Sequence, residues 1–305
     1  MGILDTFRKQ ATPSGRRPPI AVEFTPEGVL AAALPSPGAA LTVAFAALPA
    51  GALVPGITEA NLRAPESVTA SLRSALDQIS PRSRSVTLVV PDVAARVFVL
   101  DFDSLPAKAA EALPVLRFRL RKVVPFDLEQ SALSYQVLSQ EKRAVKVLAT
   151  VMPSAILHEY EGATRAAGYE PGAVLPSALA ALASADSGDP ILAVNLTSAS
   201  LTTAIATGND LLLYRTLDLP AEPEFRLAEI RRGAAVAAAY YEDRLATRPS
   251  QLHFSGSADA KEFAHAVEEM HLPVVELNPA SAISALTSKG PIGFAGIAGA
   301  LAGAS

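Results

Sequence analysis

Apolar residues along the chain come in short runs whose period changes from two to about four and back again. Ile20 to Leu34 is apolar on both sides of Pro26-Glu27-Gly28 and predicts a hairpin, and Leu41 to Ala47 predicts a third strand. Ser67 to Ile79 places Val68, Leu72, Leu76 and Ile79 on one helical face. Two uncharged strands follow at Val86–Val90 and Val97–Phe102. Next comes a helix predicted from Pro106, with Leu113, Leu116, Leu120 and Val123 inward. Leu133–Leu138 and Val145–Met152 read as strands. Ser154 is the expected cap of a helix that stops at Gly168.

After the small-polar linker Ser184–Asp189, the pattern starts again. Ile191 to Thr216 is a meander: an apolar run, a hydroxyl-rich turn at Thr197, Ser198 and Ser200, a second strand, a turn at Gly208-Asn209-Asp210 and a third run. Phe225–Leu245 is a long amphipathic helix, Gln251–Phe254 a short strand, and Ser257 the expected cap of a helix over Ala258–Met270. Val274–Leu277 is another strand, and Gly290–Ser305 a small-residue terminal helix. Strands followed by helices, twice over, predict an α/β protein of two lobes, the arrangement of actin-like and sugar-kinase-like chains. The predicted divisions are a tail over 1–18, a first lobe over 19–190 with an inserted subdomain over about 92–171, a second lobe over 191–289, and a helix over 290–305 that packs back on the first lobe.

Composition narrows the chemistry. The chain has 305 residues, half of them hydrophobic, and a net charge of −4, which argues against a nucleic-acid partner. Without cysteine there is no disulfide, thiolate nucleophile or Cys-ligated zinc. No apolar run reaches the length of a membrane span, and Met1 is not followed by a signal-peptide pattern, so a cytoplasmic chain is expected. In the tail, Ile3, Leu4 and Phe7 share a helical face beside Arg8, Lys9, Arg16 and Arg17. It reads either as a solubilising end or as a peripheral membrane contact. The four histidines, His158, His253, His265 and His271, form no metal-binding pair, and no metal site is expected. Asp101 and Asp103 read as strand-end acids rather than a catalytic pair. The basic run Arg117–Lys122 is either a solvated helix face or a contact for an acidic or phosphate-bearing partner.

Val123 to Leu138, VVPFDLEQSALSYQVL, resembles the inserted-subdomain sequence of PilM-like proteins of type IV pilus assembly, with Pro125-Phe126 and Tyr135-Gln136-Val137 at matching positions and Ser134 in place of an acid. Ser85–Pro91, Val147–Tyr160, Ala167-Gly168-Tyr169-Glu170-Pro171 and Leu252–Pro279 are similar to the flanking family segments, so the resemblance spans nearly all of 19–303. It implies a two-lobed actin-like fold of the FtsA and PilM type, built of duplicated ribonuclease H-like lobes. It also implies a scaffold at the inner face of the bacterial inner membrane, between the pilus motor and the alignment complex. The implied partner is the cytoplasmic N-terminal peptide of a PilN-like membrane protein, in a groove that Val124, Pro125 and Phe126 are expected to line. The cytoplasmic component of the type II secretion GspL proteins shares the fold and is the alternative relative.

In actin-like proteins, ATP and magnesium lie between the lobes. The positions of this chain that match the three nucleotide loops are Glu23, Thr25 and Leu30; then Asn195, Thr197, Ser198 and Ser200; then Gly256 and Ser257. Only Glu23 keeps a carboxylate. Thr25 and Thr197 stand where glycine lets phosphate approach the backbone, and Asn195 stands where magnesium prefers an anionic oxygen. The expectation is a degenerate nucleotide cleft with no cofactor and no ATP hydrolysis. The alternative is an active actin-like ATPase, for which Glu23 would be the remaining acid.

Overall fold

The computed structural model describes residues 17–34, 41–183, 185, 189–208, 210–277, 283–286 and 293–302; the predicted tail, apart from Arg17 and Pro18, lies outside the described residues, as do Asn209, Asn278 and Pro279. The chain runs β1 (Ile20–Thr25), β2 (Gly28–Ala33), β3 (Leu41–Ala47), α1 (Pro65–Ile79), β4 (Ser85–Val90), a 3-10 turn (Asp92–Ala94), β5 (Arg96–Phe102) and α2 (Ala109–Leu120). It continues with β6 (Ser131–Glu141), β7 (Ala144–Pro153), α3 (Ser154–Ala166), β8 (Glu170–Pro176) and α4 (Ser177–Leu182). The second half is β9 (Ile191–Leu196), β10 (Ser200–Thr207), β11 (Asp210–Asp218), α5 (Pro223–Leu245), β12 (Leu252–Ser255), α6 (Ala260–Ala266), β13 (Val274–Glu276), β14 (Ile283–Leu286) and α7 (Ala295–Ala302).

Two sheets repeat one topology. In the first, β3-β2-β1 is an antiparallel meander, and β4 and then β8 add in parallel beside β1. In the second, β11-β10-β9 is the meander, and β12 and then β13 add in parallel beside β9. The helices correspond too: α1 and α5 follow the meanders, and α3 and α6 bridge the parallel strands. β14 extends the first sheet beside β3. The first sheet buries Ile20, Val22 and Phe24 against α1 and α3, while its other face meets α4 and α7 through Ala180, Ile297 and Leu301. The second sheet packs Leu192, Val194 and Leu196 on α5 and α6. Period-two alternation turns Ile191 and Ala193 the other way, onto Leu179 and Leu182 of α4. Helix α4 therefore lies between the two sheets.

Within the stretch 92–171, β5, β7 and β6 form a separate three-stranded sheet, whereas α3 and β8 belong to the first core. One face of the small sheet, Val145, Val147, Ala149 and Val151, takes Leu116 and Leu120 of α2. The other brings Leu148, with Val97 and Val99, onto the second lobe. Lys146, on that same face, reaches Asp210 at 2.7 Å.

Three local expectations need correction. Helix α2 starts at Ala109 and ends at Leu120, so Val123 lies beyond it and is 58% exposed instead of facing inward. Ser154 is the first residue of α3, with Pro153 at the cap position; its amide donates to the Gln130 carbonyl. Helix α6 is capped not by Ser257 but by Asp259, whose carboxylate accepts from the Lys261 amide at 2.7 Å.

Candidate functional site

The site follows from the strand alternation. As Ile20, Val22 and Phe24 turn to one core, Glu23 must face α4 and α7. It is buried, and its Oε1 accepts from the Ser177 hydroxyl at 2.6 Å, at the start of α4. Its Oε2 has no hydrogen-bond partner among the described residues. The first turn of α7 presses against the carboxyl. A Cβ on Gly296 would lie 2.5 Å from Oε1 and 2.7 Å from Oε2, so any side chain there would have to displace the Glu23 carboxyl. Burial raises the carboxyl pKa from 4.5 to about 7; the Ser177 hydrogen bond opposes this, Asp92 adds to it, and the Ile297 amide opposes it more weakly.

Asp92, in the turn after β4, is the polar centre of the lobe junction. It is buried and accepts four hydrogen bonds. Oδ1 takes the Ala178 amide at 2.9 Å and the Tyr214 hydroxyl at 3.0 Å. Oδ2 takes the Asn195 amide group at 2.8 Å and the Thr202 hydroxyl at 2.9 Å. These donors come from α4, β9, β10 and β11. The Asn195 oxygen accepts from Ser255 at 3.1 Å, and Thr202 lies 3.0 Å from the Thr216 hydroxyl. Burial raises the Asp92 pKa against the pull of its four donors, and burial with the Asp92 charge raises that of Tyr214.

The hydroxyl residues expected to face phosphate turn back on their own backbone. Thr25 closes the β1–β2 hairpin, its oxygen accepting from the Gly28 amide at 3.1 Å. Thr197 accepts the Ala199 amide at 3.2 Å and the Ser200 amide at 3.0 Å, two N–H groups that could otherwise meet an anion. Ser200 is buried beside it, Ser198 is exposed, and Arg226 from α5 donates to the carbonyls of Thr197 and Ser198 at 2.6 Å each. Gly256 adopts φ +113°, and its backbone lies directly against Leu196 on one side and Gly293 on the other, so a side chain at Gly256 or Gly293 would strike main chain. Glu23, Thr25, Ser177, Thr197, Gly256, Ser257 and Gly293 line one cavity of about 20 Å³, the room of a single water, whereas small-molecule sites run to about 300–1,000 Å³.

The structure thus gathers Glu23, Thr25, Thr197, Gly256 and Ser257 around one cavity, while Asn195 lies outside that lining, bonded to Asp92 and Ser255. It gives Asn195 and Thr197 structural partners. The groove residues divide. Val124 is buried in the inserted subdomain with Leu120 and Leu128, Phe126 packs against the same cluster, and Pro125 is exposed. Asp101 and Asp103 are exposed, and His158, His265 and His271 lie on the surface. No group of three or more metal-ligating side chains occurs among the described residues. Sequence reasoning missed Asp92, Ser177 and Tyr214. Asp92 follows Pro91 at a strand end, where acids are commonplace, and its partners are 86 to 122 residues away, so no local spacing points to it.

No protein-family model matches the chain, and no curated protein sequence matches it significantly. Among solved structures, the chain is similar to one described as a PilM–PilN type IV pilus biogenesis complex. The TM-score is 0.72 at 18% identity, covering 96% of this chain and 100% of that one. It is also similar to the cytoplasmic domain of EpsL, an inner-membrane component of the type II secretion system of Vibrio cholerae. There the TM-score is 0.51 at 12% identity, covering 92% of each chain. These likenesses establish the actin-like fold expected from the sequence.

Proposed function

We propose that the chain is a non-catalytic actin-like scaffold of a type IV pilus or related secretion assembly. It holds the cytoplasmic N-terminal peptide of a PilN-like membrane protein at the inner face of the inner membrane, between motor and alignment complex. The observation that carries this reading is likeness over the full length to a chain solved as a PilM–PilN complex, joined to the Pro125-Phe126 and Tyr135-Gln136-Val137 resemblance in the inserted subdomain. No described helix is long and apolar enough to cross a membrane.

The cleft supports the non-catalytic half of the proposal. Phosphoryl transfer needs metal-holding acids and donors free to meet phosphate. Here the remaining acid is buried against Ser177 and α7, the second loop's amides are taken by Thr197, and the cavity is about 20 Å³.

Two measurements test the two halves separately. A synthetic PilN-like N-terminal peptide should bind saturably, and Pro125→Asp should weaken binding without changing the melting temperature; an unmodified chain that ignores the peptide refutes the partner assignment. Magnesium-ATP should leave the melting temperature unchanged, because a ligand that does not bind the native state cannot stabilise it. A saturable, magnesium-dependent rise refutes the empty-cleft reading.

A further inference from the structure

Helix α2 turns Ala112, Leu116 and Leu120 onto the inserted sheet. At about 100° per residue, the opposite face presents Pro114 and Phe118, with Val115 beside them and Arg119 at its edge, and Arg121 and Lys122 follow directly past the helix end. That face is uncovered. Phe118 is 73% exposed, the highest value among the exposed large hydrophobic side chains described, Val123 just beyond the helix is 58% exposed, and Val115 is 37% exposed. The segment Leu113–Val124 also holds four cations and no acid, in a chain whose net charge is −4.

The cations have different duties. Arg117 turns inward and donates to the carbonyls of Leu128 and Ser131. Arg121 meets Glu129 at 3.2 Å in an exposed pair of the kind that contributes little. Arg119 and Lys122 are exposed and form no salt bridge among the described residues. Phe118 therefore projects into solvent between cations left available for an outside anion.

We infer that this face of α2 is a contact surface for anionic phospholipid, with Phe118 and Val115 entering the headgroup–acyl boundary and Arg119, Arg121 and Lys122 meeting lipid phosphates. An aromatic side chain on a helical face with Arg and Lys at its edge and end is the arrangement that lies in a charged bilayer interface. A protruding phenyl ring on a single helix offers no groove to fix the register of a peptide, and a bilayer requires none. One short face gives weak, reversible attachment, since stable anchoring takes two signals. The inference does not rest on the PilN-peptide reading, because the vesicles used to test it contain no protein partner.

The test is co-sedimentation of the full chain with vesicles of phosphatidylcholine alone or with about 30% phosphatidylglycerol. Binding should require the anionic lipid and fall as salt rises. Phe118→Ser should weaken it about fivefold, and Arg119→Glu/Lys122→Glu by more than about tenfold, both with unchanged melting temperatures because none of these side chains is buried. Equal binding to neutral vesicles, or none to anionic ones, overturns the inference. So do variants that bind as well as the parent, which would move the contact to another segment such as the basic tail. Capture of a soluble acidic peptide through Phe118 without vesicle binding would identify a protein partner and overturn it equally.

Discussion

The two large sheets share one strand order but treat the buried polar side chain of their first strand in different ways. In the first sheet, Glu23 keeps a carboxylate and finds Ser177 and the first turn of α7. In the second, Asn195 has no charge and takes one from the other lobe, donating to Asp92 while accepting from Ser255. An actin-like enzyme leaves such positions facing an open cleft, where metal and phosphate complete them. Here Asn195 finds its partners within the protein, whereas Glu23 is held at one oxygen only, its Oε2 having no hydrogen-bond partner among the described residues.

The largest perturbation of that comparison is to remove the acceptor the second lobe borrows. Asp92→Ala strands four buried donors, and a loss of about 4 kcal/mol or more is expected in denaturant unfolding. A loss under about 1 kcal/mol would mean that the lobes are held together by apolar packing alone.

The first lobe's acid gives the next largest effect, and it depends on pH. Glu23 is raised from 4.5 to about 7, so between these values the unfolded chain has released a proton that the native chain keeps. Stability from this group is therefore present below about pH 4.5, falls as pH rises to about 7, and is lower by about 3 kcal/mol above it. Glu23→Gln should remove this component and gain on the parent as pH rises from 5 to 8, seen in melting temperatures; parallel pH profiles would contradict it. Asp92, also raised, accounts for a remaining slope of the same sign.

The smallest effect lies where the inserted sheet meets the second lobe. Lys146 and Asp210 are partly exposed, and Lys146→Ala should cost no more than about 1 kcal/mol and lose that cost in high salt. A salt-independent cost would place the effect in packing by the lysine stem rather than in its charge.

Much of the architecture was legible from residue patterns because it rests on local rules. The apolar runs at Ile20–Leu34 and Leu41–Ala47, and those of Ile191–Thr216, became the two meanders, and the 3.6-residue stripe at Val68, Leu72, Leu76 and Ile79 became the buried face of α1. Caps were less legible, since Ser154 and Ser257 match the preferred residue type while backbone placement put Pro153 and Asp259 at the caps. At the candidate site, aligning Glu23, Thr25, Asn195, Thr197, Gly256 and Ser257 with nucleotide loops named residues that, Asn195 apart, line one cavity. It did not find what those residues touch.

By itself, then, the sequence determined the repeated succession of strands and helices and, Val123 apart, much of which side chains turn inward, because alternation and helical period depend only on neighbours along the chain. Only the tertiary structure decided that Asp92 is the acceptor for Asn195, Thr202 and Tyr214, that Ser177 meets Glu23, and that Gly296 brings α7 onto its carboxylate. Those partners lie on separate elements far apart in sequence. A hydrogen bond is settled by distance and direction in space, which no spacing along the chain encodes.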